Sequence, residues 1–316
     1  MTLLDIKGLK VYYYLPDAVV RAVDKVDLSI SDGEILGIVG ESGSGKSTLG
    51  LSIVKLVPPP GRIVEGEILF ERVNLVKLPE KEMSKIRGKK ISMVFQDPLT
   101  SLDPLMRIGD QLVETIVTHQ NLSEEESRKM AKKYLEMVGI PGDRLRDYPH
   151  QFSGGMRQRA MIAMAIATSP RLVIADEPTT ALDVIVQAQI MKLFSKLREE
   201  LGISFIIITH DISIVMEVAD KIGVMYGGHL VEYGSVEELY EEPLHPYTKE
   251  LLRAVPNIEV KDVELRYIPG DPPDLSNPPP GCRFHPRCPH AMDICKEEIP
   301  DKRFRNEHMV RCHLYG

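Results

Sequence analysis

The stretch EILGIVGESGSGKSTLGLSIVKLV, residues 34–57, decides the fold. It opens on an apolar run of strand length and passes through a loop of glycine and serine. Apolar residues at helical spacing follow, until Pro58, Pro59 and Pro60 stop the helix. Strand, glycine loop and helix in that order are the context that the pattern G-x-x-x-x-G-K-[ST] requires. Gly40-Glu41-Ser42-Gly43-Ser44-Gly45-Lys46-Ser47-Thr48 fits it. The glycines let backbone N–H groups turn inward around an anion. The helix N-terminus adds partial positive charge, and Lys46 adds a full charge at the β- and γ-phosphates of a nucleotide. Ser47 would offer its hydroxyl oxygen to Mg²⁺, a hard cation that takes oxygen ligands. Without its flanks the run would be a Gly/Ser loop with a surface lysine. The strand before it and the helix after it remove that reading.

Further short runs rich in Ile and Val lie downstream: KKISMVFQ (89–96), RLVIADE (171–177) and ISFIIITH (203–210). Such runs suit parallel strands buried on both faces. VIVQAQIMKLFSKLREEL (184–201) has helical spacing and a stopping Gly202, so it reads as the crossover of a βαβ unit. KIGVMYGGHLVEYG sets Gly227–Gly228 between two apolar segments, a hairpin signal. Asp176 ends the strand LVIAD, where a carboxylate supports Mg²⁺ in phosphate-loop NTPases, and Glu177 follows as a candidate general base for water. Taken alone, two acids after a strand are as readily a solvated loop. The phosphate loop upstream and the crossover downstream favour the functional reading.

Between 97 and 170 the pattern turns helical. Ser123 and Glu126 form a capping box before SRKMAKKYLEMV, where Met130, Tyr134 and Val138 share a face. PHQFSGGMRQRAMIAMAIATSP (149–170) places Ser153 as an N-cap, and Gly154 and Gly155 leave the helix amides open to a second anion. On physics alone this is equally an ordinary well-capped helix. The 43% apolar and 27% charged composition is that of a globular chain, and a net charge of −7 gives no affinity for nucleic-acid backbones. The N-terminus lacks the marks of a signal peptide and no apolar run reaches bilayer length, so a cytosolic, reducing setting is expected.

With these motifs in hand the sequence resembles the nucleotide-binding subunits of ATP-binding cassette (ABC) transporters over nearly its whole length. GESGSGKST resembles their Walker A motif, LVIADEP their Walker B, and FSGGMRQR their signature motif, with Met156 where glutamine is usual. TALD (180–183) is similar to the D-loop, Gln96 in VFQDP to the Q-loop, and His210 in ITHD to the switch histidine. The resemblance implies an α/β fold: an ABC-type phosphate-loop NTPase core with an N-terminal antiparallel β subdomain, a helical signature subdomain at about 97–170, and a proline-rich C-terminal extension holding a metal site. Residues 1–245 would form the nucleotide-binding domain and 246–316 the extension. Two subunits would pack head to tail, each ATP lying between one Walker A loop and the partner's Ser153–Gly155. The resemblance further implies that Glu177 activates water, His210 contacts the γ-phosphate and Asp183 crosses the interface. Gln96 would reach Mg²⁺ and water, and Tyr13 would stack on adenine, with Tyr12 and Tyr14 beside it and a core-facing Tyr13 as the structural alternative.

FQDPLTSLDP, PHQFSGGMRQR, PLHPYTKELL and the IPGDPPDL…CRFHPRCP tail together resemble the ATPase subunits of bacterial di- and oligopeptide importers. Nickel importers use similar subunits, and a soluble non-transport ABC ATPase is the remaining alternative. The resemblance implies a homologous second ATPase, or a second copy of this chain, beneath two transmembrane permeases. An external solute-binding protein would feed them, and this subunit would lie peripherally on the cytoplasmic face of the membrane. All four cysteines, Cys282, Cys288, Cys295 and Cys312, lie in the tail with spacing C-x5-C-x6-C-x16-C. A reducing setting argues against disulfides, and the tight C-x2–4-C pair common in zinc sites is absent. Three readings stand: a [4Fe–4S] cluster, which suits four thiolates and which this subgroup is known to carry, Zn²⁺ with help from His285, His290 or His313, or unliganded thiols. Eight of the 21 residues from 269 to 289 are proline, too many for a helix or central strand, so the thiols are expected to staple the tail. Replacing Cys288 with serine is expected to loosen the tail and leave the ATP site intact.

Overall fold

Strands β1 (Thr2–Tyr14) and β2 (Val19–Ser31) pair antiparallel, with Leu4, Ile6, Leu9 and Val11 of β1 facing Val23, Val26, Leu28 and Ile30 of β2 on the buried side. The register shifts four times along this pair, twice in its middle. An extra residue in β1 around Gly8, at φ +56°, shifts the register between Ile6 and Leu9, and one in β2 at Lys25, φ +53°, shifts it back before Val11. These bulges keep Leu9 and Val11 pointing inward. β3 (Ile35–Val39) is buried at all five positions and delivers the chain into α1 (Lys46–Ile53). β4 (Gly61–Phe70) pairs with β1 and β5 (Val73–Asn74) with β4, giving a four-stranded antiparallel sheet in the order β2-β1-β4-β5.

The computed structural model describes residues 1–120, 122–254 and 268–316. They fall into two compact units. Met1–Ser31, Ile35–Lys77 and Thr209–Gly316 form one, and Asp32–Glu34 with Leu78–Ile208 form the other. The second unit follows α2 (Glu80–Met83) with β6 (Ile91–Val94), α3 (Pro98–Ser101), α4 (Ile108–His119), α5 (Glu124–Met137) and α6 (Gly154–Ile166). β7 (Leu172–Asp176), α7 (Val184–Leu201) and β8 (Ser204–Thr209) complete it. β6, β7 and β8 run parallel and are almost wholly buried, as their unbroken apolar runs require. α7 is the crossover between β7 and β8, and it ends at Gly202 in the left-handed conformation, φ +65°. α4, α5 and α6 pack on one another, and their Leu112, Ile116, Tyr134, Leu135 and Ile162 are buried.

The first unit resumes with α8 (Ile212–Met216), β9 (Lys221–Tyr226), β10 (His229–Ser235), α9 (Val236–Glu241) and α10 (Pro246–Arg253). β9 runs parallel to β3, and the Gly227–Gly228 turn, with φ +55° and +83°, folds β10 back antiparallel. The described part of the tail adds α11 (Ile294–Glu297), β11 (Arg303–Arg305) and β12 (His308–Val310), with β12 extending the sheet beside β10. The fully buried Glu232 fastens this edge. It accepts the N–H groups of Leu244 (2.7 Å) and His245 (2.9 Å) and hydrogen-bonds His308 Nε2 (2.7 Å). The extension expected over 246–316 includes 255–267, which lie outside the described residues. The α/β core, the antiparallel β subdomain and the helical segment all agree with expectation.

Candidate functional site

In the first unit the phosphate loop is shaped by two glycines that nothing else could replace. Gly40 has φ +151°, and a Cβ there would lie 2.1 Å from the Met225 carbonyl oxygen. Gly45 has φ +101°, and its Cβ would lie 2.0 Å from the Ala22 carbonyl oxygen. The loop is thus clamped between β2 and β9. Lys46, 5% exposed, curls into it and donates from Nζ to the carbonyls of Gly40 (2.7 Å) and Glu41 (2.9 Å). Ser44 accepts the Gly228 N–H (2.9 Å), so the β9–β10 turn supports the loop from behind. Ser42 and Gly43 are exposed at the rim, and Ser47 and Thr48 open α1. Tyr13 packs against Gly61, whose Cβ would meet its ring at 2.5 Å, and its hydroxyl lies 3.3 Å from Thr48 Oγ1. Tyr12 is turned to Asp24 and Tyr14 lies beneath Arg62, so of the three tyrosines it is Tyr13 that meets Thr48. His210 is exposed directly after β8, and Asp211 caps α8 behind it. The sequence reading missed Tyr247, whose hydroxyl accepts the Glu41 N–H at 2.8 Å.

The second unit gathers the remaining motifs. Asp176 is buried at the end of β7. Glu177 stands at φ +46°, a strained conformation for a residue with a side chain, and its N–H is pinned to the Ile208 carbonyl (2.8 Å). Its Oε2 accepts from Thr180 Oγ1 (2.7 Å) and lies 3.5 Å from Gln96 Nε2, so two residues far apart in sequence meet. Thr180, the first residue of TALD, had been given no role of its own. Ser153 caps α6 by accepting the Met156 N–H (3.3 Å), and Asp183 caps α7 by accepting the Val186 N–H (3.0 Å). Both caps open onto one cleft of about 360 Å³, lined by Ser153, Gly154, Gly155, Arg159, Ala181 and Asp183. Gly155 is required by close approach, since its Cβ would lie 2.8 Å from Val186 Cγ1.

In the tail, Cys295 and Cys312 are buried and Cys282 and Cys288 half-buried, and none is joined in a disulfide. Burial pushes the Cys282 and Cys312 thiols up to about 11, and each also feels the field of the other cysteines. Burial likewise raises Cys288, with Cys295 acting in the same sense. The metal site itself does not form: among the described residues no group of three or more His, Cys, Asp or Glu side chains makes a metal-ion site. His285 Nδ1 and His313 Nε2 instead face the carbonyls of Cys282 and Glu298, each at 2.9 Å.

Residues 23–180 match the ABC transporter family, and residues 231–295 match the oligopeptide/dipeptide transporter C-terminal region. The chain is 47% identical over 315 residues to the dipeptide transport ATP-binding protein DppD of Bacillus subtilis, covering 98% of this chain and 94% of that protein. It is 47% identical over 312 residues to the oligopeptide transport ATP-binding protein OppD of Escherichia coli, covering 98% and 92%. The ATP-binding cassette MJ0796, solved as a dimer in a post-hydrolysis state bound to ADP and Pi, superposes with a TM-score of 0.67 at 32% identity, over 74% of this chain and 98% of that one. With a cassette matched in one half and the peptide-transporter C-terminal region in the other, this chain belongs to the ATP-binding proteins of the ABC transporter family.

Proposed function

We propose that this chain is the ATP-hydrolysing subunit that powers import of di- or oligopeptides through a membrane permease. The observation that carries it is the shared cleft of Ser153–Gly155 and Asp183. A second anion-ready helix end and the D-loop open on one exposed surface, as a site completed by another cassette requires. Residues 40–48 cradle the triphosphate through loop amides, and Lys46 meets the β- and γ-phosphates. Ser47, Asp176 and Gln96 would offer oxygen ligands to Mg²⁺, and the ion would neutralise charge on the phosphate oxygens. Glu177, held by Thr180 and its strained backbone, takes the proton from the attacking water. His210 contacts the γ-phosphate, Tyr13 the adenine, and Ser153–Gly155 with Asp183 the nucleotide of the partner cassette.

The relatives are peptide transport ATP-binding proteins, which supports the partners that this reading assigns. They are a second, homologous cassette or a second copy of this chain, two permeases, and an external solute-binding protein. No helix among the described residues is long and apolar enough to cross a membrane; on this reading the subunit lies peripherally, on the cytoplasmic face of the membrane. Residues 1–245 act as the nucleotide-binding domain and 246–316 as the extension. Although no metal-ion site forms among the described residues, Cys282, Cys288, Cys295 and Cys312 are four thiols in one tail, the ligand number of a [4Fe–4S] cluster, which they would hold as thiolates. Anaerobic purification with iron, sulfide and zinc counted per chain tests the cluster, and zinc alone would replace it. Glu177→Gln tests the ATPase. ATP binding should persist while turnover falls about 10²- to 10⁴-fold and a closed dimer accumulates. Undiminished turnover would remove Glu177 from the chemistry.

A further inference from the structure

The phosphate loop carries a carboxylate of its own. Glu41 is the second residue of the loop, and a negative charge there opposes a triphosphate. Its partner comes from 246 residues downstream. Arg287 binds it bidentately, Nη1 to Oε2 at 2.6 Å and Nη2 to Oε1 at 3.0 Å, and the arginine side chain is 5% exposed. That guanidinium is itself fixed: Nε donates to the Pro269 carbonyl (2.9 Å), Nη2 to the Ile268 carbonyl (3.1 Å) and Nη1 to the Tyr226 hydroxyl (3.3 Å). A second arginine of the same tail segment, Arg283, donates to the Gly227 carbonyl and to Asp24, and the adjoining Gly228 N–H holds Ser44. Two tail arginines thus brace the loop at two points, one directly and one through the β9–β10 turn.

On the reading of residues 40–48 as the ATP loop, we propose that Arg287 is a positioning residue for ATP, neutralising Glu41 and fixing its direction. The tail thereby forms part of the nucleotide-binding apparatus. A fork of two parallel hydrogen bonds sets both the charge and the rotamer of Glu41, which a surface ion pair would not.

The test uses the full-length chain, with dissociation constants of Mg-ATP and Mg-ADP measured for Arg287→Met, Arg287→Lys and the double variant Arg287→Met/Glu41→Gln. Arg287→Met should weaken ATP on the order of tenfold and ADP less, because ATP carries the extra negative charge. The double variant should regain most of the loss, since the unpaired carboxylate is gone. Arg287→Lys keeps the charge but loses the fork, so its ATP affinity should lie between that of the parent and that of Arg287→Met. It also carries the test should Arg287→Met fail to fold. Unchanged ATP affinity in Arg287→Met overturns the proposal, and so does an equal loss for ATP and ADP without recovery in the double variant. If the parent chain does not bind ATP, or Lys46→Ala does not weaken it, the reading of the loop itself fails instead.

Discussion

Gly45 and Gly43 belong to the same loop and both have positive φ, yet they should respond differently to alanine. At Gly45 a methyl group would lie 2.0 Å from the Ala22 carbonyl oxygen, whereas at Gly43, φ +76°, nothing lies within 4 Å. Gly45→Ala must therefore move β2 or the loop, while Gly43→Ala bears only the backbone strain of roughly 1 kcal/mol. Titration calorimetry with Mg-ATP should show at least about tenfold weaker binding for Gly45→Ala and a smaller loss for Gly43→Ala. Equal losses would mean that flexibility, not close approach, sets the loop. The glycines and Lys46 were legible because their motif is contiguous. The atoms that make Gly40 and Gly45 obligatory, the carbonyls of Met225 and Ala22, come from other strands and leave no mark near residue 40. Thr180 and Tyr247 stand in the quoted motifs TALD and PLHPYTKELL, but their roles were missed for the same reason: a hydroxyl's task is not legible until its partner is in place.

The helices with strong local grammar were read well from sequence. Ser123 and Glu126 form the capping box of α5 with both bonds present, and Tyr134 and Val138 of the expected face are buried, with Met130 partly so. The Gly202 stop and the Gly227–Gly228 turn also stand where the sequence put them. β1 and β2 were legible only through resemblance, since bulges at Gly8 and Lys25 break the alternation that marks a strand. α6 offers a test at this scale. Ser153→Ala removes its cap to Met156 and should cost about 1 kcal/mol of stability. If Ser153 is only a cap, ATPase activity measured well below the melting transition should stay near that of the parent. If it also meets the partner's nucleotide, turnover should fall by more than tenfold while the fold is retained.

At the scale of the whole molecule, the tail was legible as an appendage but not as a brace. Its prolines and cysteines announce irregular structure, while Arg287 and Arg283, which bind Glu41 and the Gly227 turn, look like ordinary charges. The expectation that Cys288→Ser leaves the ATP site intact meets that contact, because Arg287 is the neighbouring residue. How the tail region is held also sets the response to acid. His245 begins α10, is 1% exposed, and accepts the Tyr247 N–H on Nδ1 beside the Phe284 ring. Burial lowers its pKa to about 4, winning over the nearby Glu232 carboxylate, which raises it, and Lys249 adds to the lowering. His229, between Asp24 and Arg283, is held down to about 4 in the same way, by burial first. For a histidine whose folded pKa lies below its unfolded value, the unfolded chain binds the proton first. Stability is therefore full above about pH 6.5 and lost as pH falls toward about 4, by an amount on the order of 3 kcal/mol for a shift of this size. His245→Asn keeps an acceptor for the Tyr247 N–H but cannot titrate. Urea midpoints at pH 7.5 and pH 5 should fall clearly for the parent and by about half as much for the variant, with His229 supplying the remainder. An identical fall in both proteins would mean that His245 is not among the groups that make this chain acid-sensitive.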